Sequence, residues 1–273
     1  MDKYRVFGNP IKQSKSPVIH RAFAQALNQD IEYDKYAPEV DSFAQAVQAF
    51  IAEGGKGANV TAPFKEEAMR LCDELSEVAA KSGAVNTLSF KGGKIYGDNT
   101  DGFGLVQDLL TQGVSLSQAN ILMLGAGGAA KGVVASLLAE KPLSLTIANR
   151  TKAKATLLAE QADSDIVSGC GFDELTGSYD LIINATSSSL SGKIPEIPTN
   201  IINEDVCCYD MSYSKAPTPF LTWARQQGAT KVIDGLGMLV GQAAKSFSIW
   251  RNHMPQVAPV LTMLRKELQT QES

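Results

Sequence analysis

A chain of 273 residues is long enough for one large domain or two ordinary ones, and its 44% hydrophobic and 20% charged residues are those of an ordinary globular protein. With 25 basic and 29 acidic residues and a net charge of −4, it offers no basic surface for nucleic acid, and no apolar run approaches a membrane span. Met1-Asp2-Lys3-Tyr4-Arg5 does not open a signal peptide, Cys72, Cys170, Cys207 and Cys208 form no Cys-x-x-Cys pair, and His20 and His253 are too few for a histidine-based metal site.

These features predict a cytoplasmic protein with reduced thiols, no metal and no nucleic-acid or membrane partner. The oligomeric state stays open, a homodimer included.

Strand and helix signals alternate, which predicts an α/β protein with parallel strands. Tyr4–Phe7 reads as the first strand. Ser16-Pro17 reads as a helix cap followed by proline at the first helical position, and Val18, Phe23, Ala26 and Leu27 give that helix an apolar face. Ile31–Tyr36 is a second strand. Phe43, Ala46, Val47, Phe50 and Ile51 line a second helix that Gly54-Gly55 ends. Gly57–Val60 is a short strand, and Pro63 starts another helix. Residues 85–90 and 94–96 flank Gly92-Gly93 as a hairpin, and Asp98-Asn99-Thr100-Asp101-Gly102 is turn chemistry.

From residue 103 the texture changes. A helix leads to Ile121-Leu122-Met123-Leu124, an apolar run suited to a strand buried on both faces. A helix over 128–140, a strand over 143–148 and a helix over 151–162 follow. Residues 181–184, 206–209 and 232–233 are further strands, and two helices close the chain.

Gly125-Ala126-Gly127-Gly128-Ala129-Ala130 falls between the apolar strand and a helix, the context in which a glycine-rich turn holds a dinucleotide. Gly125 permits the turn, Gly127 lets backbone approach a pyrophosphate, and Ala130 is small enough for close helix–strand packing. The next strand ends in Asn149-Arg150-Thr151-Lys152-Ala153-Lys154 rather than in the Asp or Glu that bonds the ribose of NAD. Arg150 can grip a 2′-phosphate with two charge-assisted bonds, and a lysine in the first turn of a helix, as Lys154 is, opposes the dipole unless an anion sits there. The cofactor is therefore expected to be NADP. The loop Asn184–Ser189 also follows a buried strand; cofactor contact and a plain loop are both open. A cofactor domain is placed at 103–236, with the other domain built from 1–102 and 237–273.

Three polar clusters mark the first hundred residues: Gly8–Pro17, Asn59–Lys65, and Gly83–Thr87 with Gly97–Gly102. A fourth, Asp234–Gln242, opens a helix. Taken in order from Gly8 to Gln242, with the glycine-rich loop and the Asn-Arg-Thr stretch, these motifs resemble the shikimate dehydrogenase family. The resemblance implies two domains, a Rossmann-like NADP-binding domain and an α/β substrate domain with a cleft between them. It implies NADP-linked, reversible reduction of 3-dehydroshikimate to shikimate in chorismate and aromatic amino-acid biosynthesis.

Residue by residue, it implies Lys65 as acid–base and Asp101 as its partner. Ser14 and Ser16 would bind the substrate carboxylate, and Thr61, Asn86 and Gln242 the ring hydroxyls, with Asn59 and Tyr213 nearby. Gly125–Ala130 (Gly125, Ala126, Gly127, Gly128, Ala129, Ala130), Asn149, Arg150, Thr151 and Lys154 would hold NADP, and Met211, Gly235 and Met238 would approach the nicotinamide. Ala62, Ser189, Ser212 and Ser214 depart from the family's usual residues without removing a functional group.

Carbonyl reduction needs a proton for the developing alkoxide. Lys65 sits where a helix dipole penalises a cation, while Glu66, Glu67 and Asp101 favour one. Proton shuttle and oxyanion stabiliser both stay open for it. A surface lysine and a helix cap are the plain alternatives for Lys65 and Asp101. A quinate-accepting or NAD-using relative, and a regulatory protein that kept the fold, are the alternatives for the whole chain.

Overall fold

The computed structural model describes residues 1–270. In chain order these form β1 (Asp2–Phe7), α1 (Ser16–Ala26), β2 (Ile31–Tyr36), α2 (Phe43–Ala52), β3 (Gly55–Val60), α3 (Lys65–Leu71), β4 (Glu74–Leu75), α4 (Glu77–Ser82), β5 (Thr87–Lys91), β6 (Lys94–Asp98) and α5 (Asp101–Thr111). Then come β7 (Asn120–Leu124), α6 (Gly128–Ala139), β8 (Ser144–Ala148), α7 (Lys152–Gln161), β9 (Val167–Cys170), β10 (Leu181–Asn184), β11 (Cys207–Asp210), α8 (Pro219–Gln226), β12 (Lys231–Asp234), α9 (Leu236–Arg251) and α10 (Val257–Thr270). Among the described residues, no helix is long and apolar enough to cross a membrane.

The chain divides into two compact units, Met1–Gly104 with Leu239–Met263, and Leu105–Met238 with the chain from Leu264 on. The stretch after Leu264, expected with the first unit, groups with the second. The reason is local: Leu264 is buried, and the Arg265 guanidinium donates to both carboxylate oxygens of Asp234 at the end of β12.

In the second unit the sheet order is β12-β11-β10-β7-β8-β9, all parallel. Its central strands β7, β10 and β11 are buried on both faces, as apolar runs require. Ile121 and Met123 of β7 join Leu181 and Ile183 of β10 and Tyr209 of β11 in one core layer, while Leu122, Leu124, Ile182 and Cys208 join the opposite layer. Each fully buried Leu or Ile stabilises this unit by roughly 1.5–3 kcal/mol relative to exposure. The chain reverses sheet direction between β7 and β10, and at such a switch point loops leave opposite sides and open a crevice.

The first unit is mixed, with the expected hairpin set among parallel pairs. Its order is β2-β1-β3-β5-β6-β4, with β5 antiparallel to both β3 and β6. The reversal follows from Gly92-Gly93: both have positive φ (59° and 76°), the conformation a two-residue hairpin turn demands. Phe7, Phe43, Phe50 and Phe64 fill one face of this sheet, and Tyr4, Val6, Ile11 and Tyr33 the other, where Trp250 of α9 packs.

Ser16 is not the cap of α1 but its first residue, with Lys15 at the cap position. Ser14 Oγ instead accepts from the Ser16 backbone N–H at 3.3 Å, and Pro17 occupies the first turn, where its missing N–H has no intrahelical role.

His20, on α1, is fully buried and stacks on Tyr33 with ring centroids 4.3 Å apart. Burial pushes its pKa from 6.5 down to about 3, so it is neutral at physiological pH. A folded-state value below the unfolded one means that the stability contributed is complete above pH 6.5 and is lost as pH falls toward 3. Between about pH 6.5 and pH 5.5 this residue should lower the unfolding free energy by about 1 kcal/mol. Urea unfolding of the wild type and His20→Phe at the two pH values measures the difference; equal pH slopes in both proteins would refute it.

Candidate active site

The first unit places Lys65 at the start of α3 and Asp101 at the start of α5. Lys65 Nζ donates to Asp101 Oδ2 at 2.6 Å, with side chains 23% and 11% exposed. Asn86, at the entrance to β5, donates from Nδ2 to the other oxygen, Asp101 Oδ1, at 2.8 Å. Both carboxylate oxygens are thus engaged by donors of fixed origin. Backbone bonds tie these parts to the sheet: Val85 N–H donates to Lys65 C=O, and Val60 N–H to Asn86 C=O. Asn99 Oδ1 accepts from the Asp101 N–H and holds the start of α5.

Around this pair stand other expected residues. Gln242 of α9 accepts weakly from Thr100 Oγ1 at 3.4 Å and donates from Nε2 to Leu239 C=O. Thr61 is half-buried in the loop after β3. That loop touches the segment carrying Ser14: Asn9 N–H donates to Ala62 C=O, and a side chain at Gly8 would run into Thr61 Cγ2 and Ile11.

Asn59 is different. Its Oδ1 accepts from Tyr33 Oη at 2.7 Å, and its Nδ2 faces Ser246 Oγ at 3.0 Å and Asn86 C=O at 3.2 Å. Its amide is therefore committed within the protein, unlike a ligand-facing group. Tyr213 lies in the second unit, in the loop after β11, where burial foremost and then the Asp234 charge push its phenol pKa upward. Thr87 and Thr100 lie inside the polar clusters without an assigned role and Ser246 lies outside every motif, yet all three belong to this network. A signal existed for Ser246, which lies four residues after Gln242 and hence one turn along the same helix face.

In the second unit a cavity of about 880 Å³ opens at the switch point. Gly125 turns the chain there with φ +106°, and a side chain on it would press on Thr186 and the Ala185 backbone. Nothing lies within 4 Å of where Gly127 or Gly128 would carry a Cβ, so bare backbone faces the cavity at the start of α6. The N–H groups of a helix start and the helix dipole favour an anion at such a place.

Asn149, Arg150, Thr151 and Lys154 line the same cavity, as do Thr186 and Ser188 from the loop after β10. Asn149 Nδ2 donates to Thr151 C=O and braces the turn. Lys152, by contrast, pairs with Glu174 at 2.6 Å. Three cations on the walls, Arg150, Lys154 and Lys193, outnumber two carboxylates, Asp173 and Glu196. Phe172, Asp173, Lys193 and Glu196 carried no motif signal. Ala130 is buried against the sheet core. Met211 and Gly235 meet at the ends of β11 and β12: Gly235 N–H donates to Ser212 C=O, and a Cβ on Gly235 would overlap the Met211 backbone. Met238 is buried at the start of α9.

A doubly wound parallel sheet with a glycine turn at its switch point, joined in one chain to a unit bearing a lysine–carboxylate pair, defines a class: a nicotinamide-dinucleotide oxidoreductase. Family models match along the chain, the shikimate dehydrogenase substrate binding domain over residues 6–88, shikimate / quinate 5-dehydrogenase over 106–192 and the shikimate 5′-dehydrogenase C-terminal domain over 235–264. The chain is 57% identical over 268 residues to shikimate dehydrogenase (NADP(+)) of Colwellia psychrerythraea, covering 98% of both chains. Among solved structures it is similar to an Ael1 enzyme from Pseudomonas putida (TM-score 0.93, 42% identity, 97% of this chain and 98% of that one). It is also similar to shikimate 5-dehydrogenase from Thermus thermophilus in complex with NADP(H) and shikimate (TM-score 0.87, 30% identity, 98% and 100%). The chain belongs to the shikimate dehydrogenase family.

Proposed function

We propose that this chain catalyses the NADP-linked, reversible reduction of 3-dehydroshikimate to shikimate, a step of chorismate and aromatic amino-acid biosynthesis. The observation that carries the proposal is the Lys65–Asp101 pair, 2.6 Å long and braced by Asn86, in a chain whose dinucleotide-type cavity presents Arg150 where an NAD site has a carboxylate. The cavity residues fit NADP: bare glycine backbone for the pyrophosphate, Arg150 and Lys154 for the 2′-phosphate. When bound, NADPH supplies the hydride. Met211, Gly235 and Met238 are assigned to the nicotinamide end.

Lys65 Nζ gives a proton to the oxygen that becomes the C3 hydroxyl, and takes it back in the reverse direction. Asp101 holds the ammonium in place and compensates its charge. Ser14 and Ser16 hold the substrate carboxylate, near a helix start whose dipole favours an anion. Thr61, Asn86 and Gln242 bind ring hydroxyls. Residues 1–102 with 237 onward serve substrate and 103–236 serve NADP, with the structural boundaries shifted by two residues and α10 divided. Four free thiols support a cytoplasmic setting.

NADPH formation from shikimate and NADP, run beside NAD and quinate, tests the reading. Turnover confined to shikimate with NADP supports it. Turnover with quinate or NAD broadens the activity, and NADP binding without turnover overturns catalysis.

A further inference from the structure

Asn86 has two partners whose roles are fixed by chemistry. The Thr100 backbone N–H can only donate, and it lies 2.9 Å from Asn86 Oδ1; the Asp101 carboxylate accepts, and it lies 2.8 Å from Asn86 Nδ2. The orientation of the amide follows, and from it the position of each hydroxyl proton nearby. Thr87 Oγ1 lies 2.7 Å from Asn86 Oδ1, an acceptor, so Thr87 spends its only proton there. In the 2.8 Å contact between Thr87 and Ser246 the proton is then Ser246's, shared with the Gln242 backbone C=O at 3.0 Å. Its proton spent, Ser246 Oγ can only accept, from Asn59 Nδ2 at 3.0 Å and from Thr100 Oγ1 at 3.1 Å. Thr100 Oγ1 in turn accepts from Asn86 Nδ2 at 3.0 Å, and of the three acceptors within reach of its own proton, Ser246 Oγ at 3.1 Å is nearer than Asn86 Oδ1 at 3.2 Å or Gln242 Oε1 at 3.4 Å. Followed along the shortest contacts, the bonds close a ring in one direction: Ser246 to Thr87, Thr87 to Asn86, Asn86 to Thr100, Thr100 to Ser246.

We infer that Ser246 is a positioning residue, the closure of a buried hydrogen-bond ring that locks the Asn86 amide and so holds the Asp101 carboxylate square to Lys65. This rests on the reading of Lys65 and Asp101 given above. Ser246 is fully buried, and Thr87, Thr100 and Asn86 are 1–2% exposed, so no solvent replaces a lost partner without rearrangement. A ring whose bonds all run one way polarises each member in the same sense, and losing one hydroxyl opens the whole circuit. Without Ser246 Oγ, Thr87 loses its donor, and Thr100 and Asn59 each lose an acceptor. Asn86 keeps its bonds to the Thr100 N–H and to Asp101, but the two hydroxyls that flank its amide, Thr87 and Thr100, lose their anchor, and the donor to Asp101 Oδ1 shifts with them. A displacement of that size at a reacting pair costs turnover far more than it costs cofactor binding.

The test measures kcat and both KM values for wild type, Ser246→Ala, Thr87→Val, Thr87→Ser, the Ser246→Ala/Thr87→Val double variant and Lys65→Ala, with melting curves for each. Expected is a fall in kcat of about tenfold in Ser246→Ala and in Thr87→Val with the KM for NADPH unchanged. The double variant should be no worse than its weaker parent, because one ring opens once. Thr87→Ser keeps the hydroxyl and should restore wild-type kcat. Unchanged kcat in a variant still folded at the assay temperature overturns the inference, as do additive losses or a Thr87→Ser variant as slow as Thr87→Val. If one of the two ring-opening variants does not fold, the other, set against Thr87→Ser, decides alone. An inactive wild type, or an active Lys65→Ala, refutes the functional reading instead and is seen in different proteins of the series.

Discussion

Lys65→Ala should reduce kcat for 3-dehydroshikimate by about 10² to 10⁴-fold, the range for loss of a positioned acid–base group, while leaving NADPH binding intact. The size of the effect comes from how completely the ammonium is placed. It is three-quarters buried at the first residue of α3, its backbone carbonyl is bonded to Val85 N–H, and its Nζ meets an Asp101 carboxylate whose other oxygen is taken by Asn86. No neighbouring side chain in the network is a cation that could substitute; Asn86, Thr87, Thr100 and Gln242 are all neutral. Alanine removes the proton donor and leaves the Asp101 charge partly buried without its partner, which disfavours an oxyanion nearby as well. Steady-state kinetics alongside nicotinamide fluorescence separates the two ligands. A folded Lys65→Ala enzyme with wild-type kcat would remove Lys65 from the chemistry. Lys65→Arg separates proton transfer from charge stabilisation. If charge alone suffices, arginine recovers part of the rate; if the proton must move, it does not, because a guanidinium does not give one up.

The second unit's sheet was legible because its central strands are buried on both faces and so appear as unbroken apolar runs, Ile121–Leu124 and Leu181–Asn184 among them. The strands that escaped notice lack that mark. β9 reads Val-Ser-Gly-Cys and lies at the sheet edge, where Gly169 lets α7 come so close that any side chain would overlap the Ala155 and Thr156 backbone. β4 is only two residues, fixed by pairing with Tyr96 and Gly97 rather than by its own propensity. α4 is six residues long, too short for helical periodicity, although its ends carry signals: Ser76 accepts from Ala79 N–H, and Gly83 has a left-handed φ of 64°.

The candidate site divides along the same line. The glycine turn and Asn149-Arg150-Thr151 are local in sequence and could be read from spacing alone. Lys65 and Asp101 are 36 residues apart, and no periodicity pairs a lysine at one helix start with an aspartate at another; family resemblance named the pair, and the structure supplies its distance. The ring through Ser246 is less visible still, because it joins residues up to 160 positions apart through hydroxyls that are also common in loops and helices.

Arg150→Ala should lower kcat/KM for NADPH on the order of a hundredfold, the scale of two lost charge-assisted bonds, with little change in kcat at saturation and little change for NADH. Arg150 follows β8 directly, is exposed on the cavity wall and stands in a turn braced by Asn149. The helix behind it begins at Lys152 with no acidic residue in its first turn, so no carboxylate of that turn competes with a phosphate for the guanidinium. Lys154, a point charge on a flexible stem, should contribute only several-fold, since it cannot make the two-pronged contact. Both charges face solvent, so wild-type KM for NADPH should rise with salt, and Arg150→Ala should flatten that rise. Parallel kinetics with the two nucleotides at low and high salt carries the test. Equal losses for NADPH and NADH would mean that Arg150 serves the part the two share, the adenosine, and that preference for the 2′-phosphate has to come from Lys154 or Lys193.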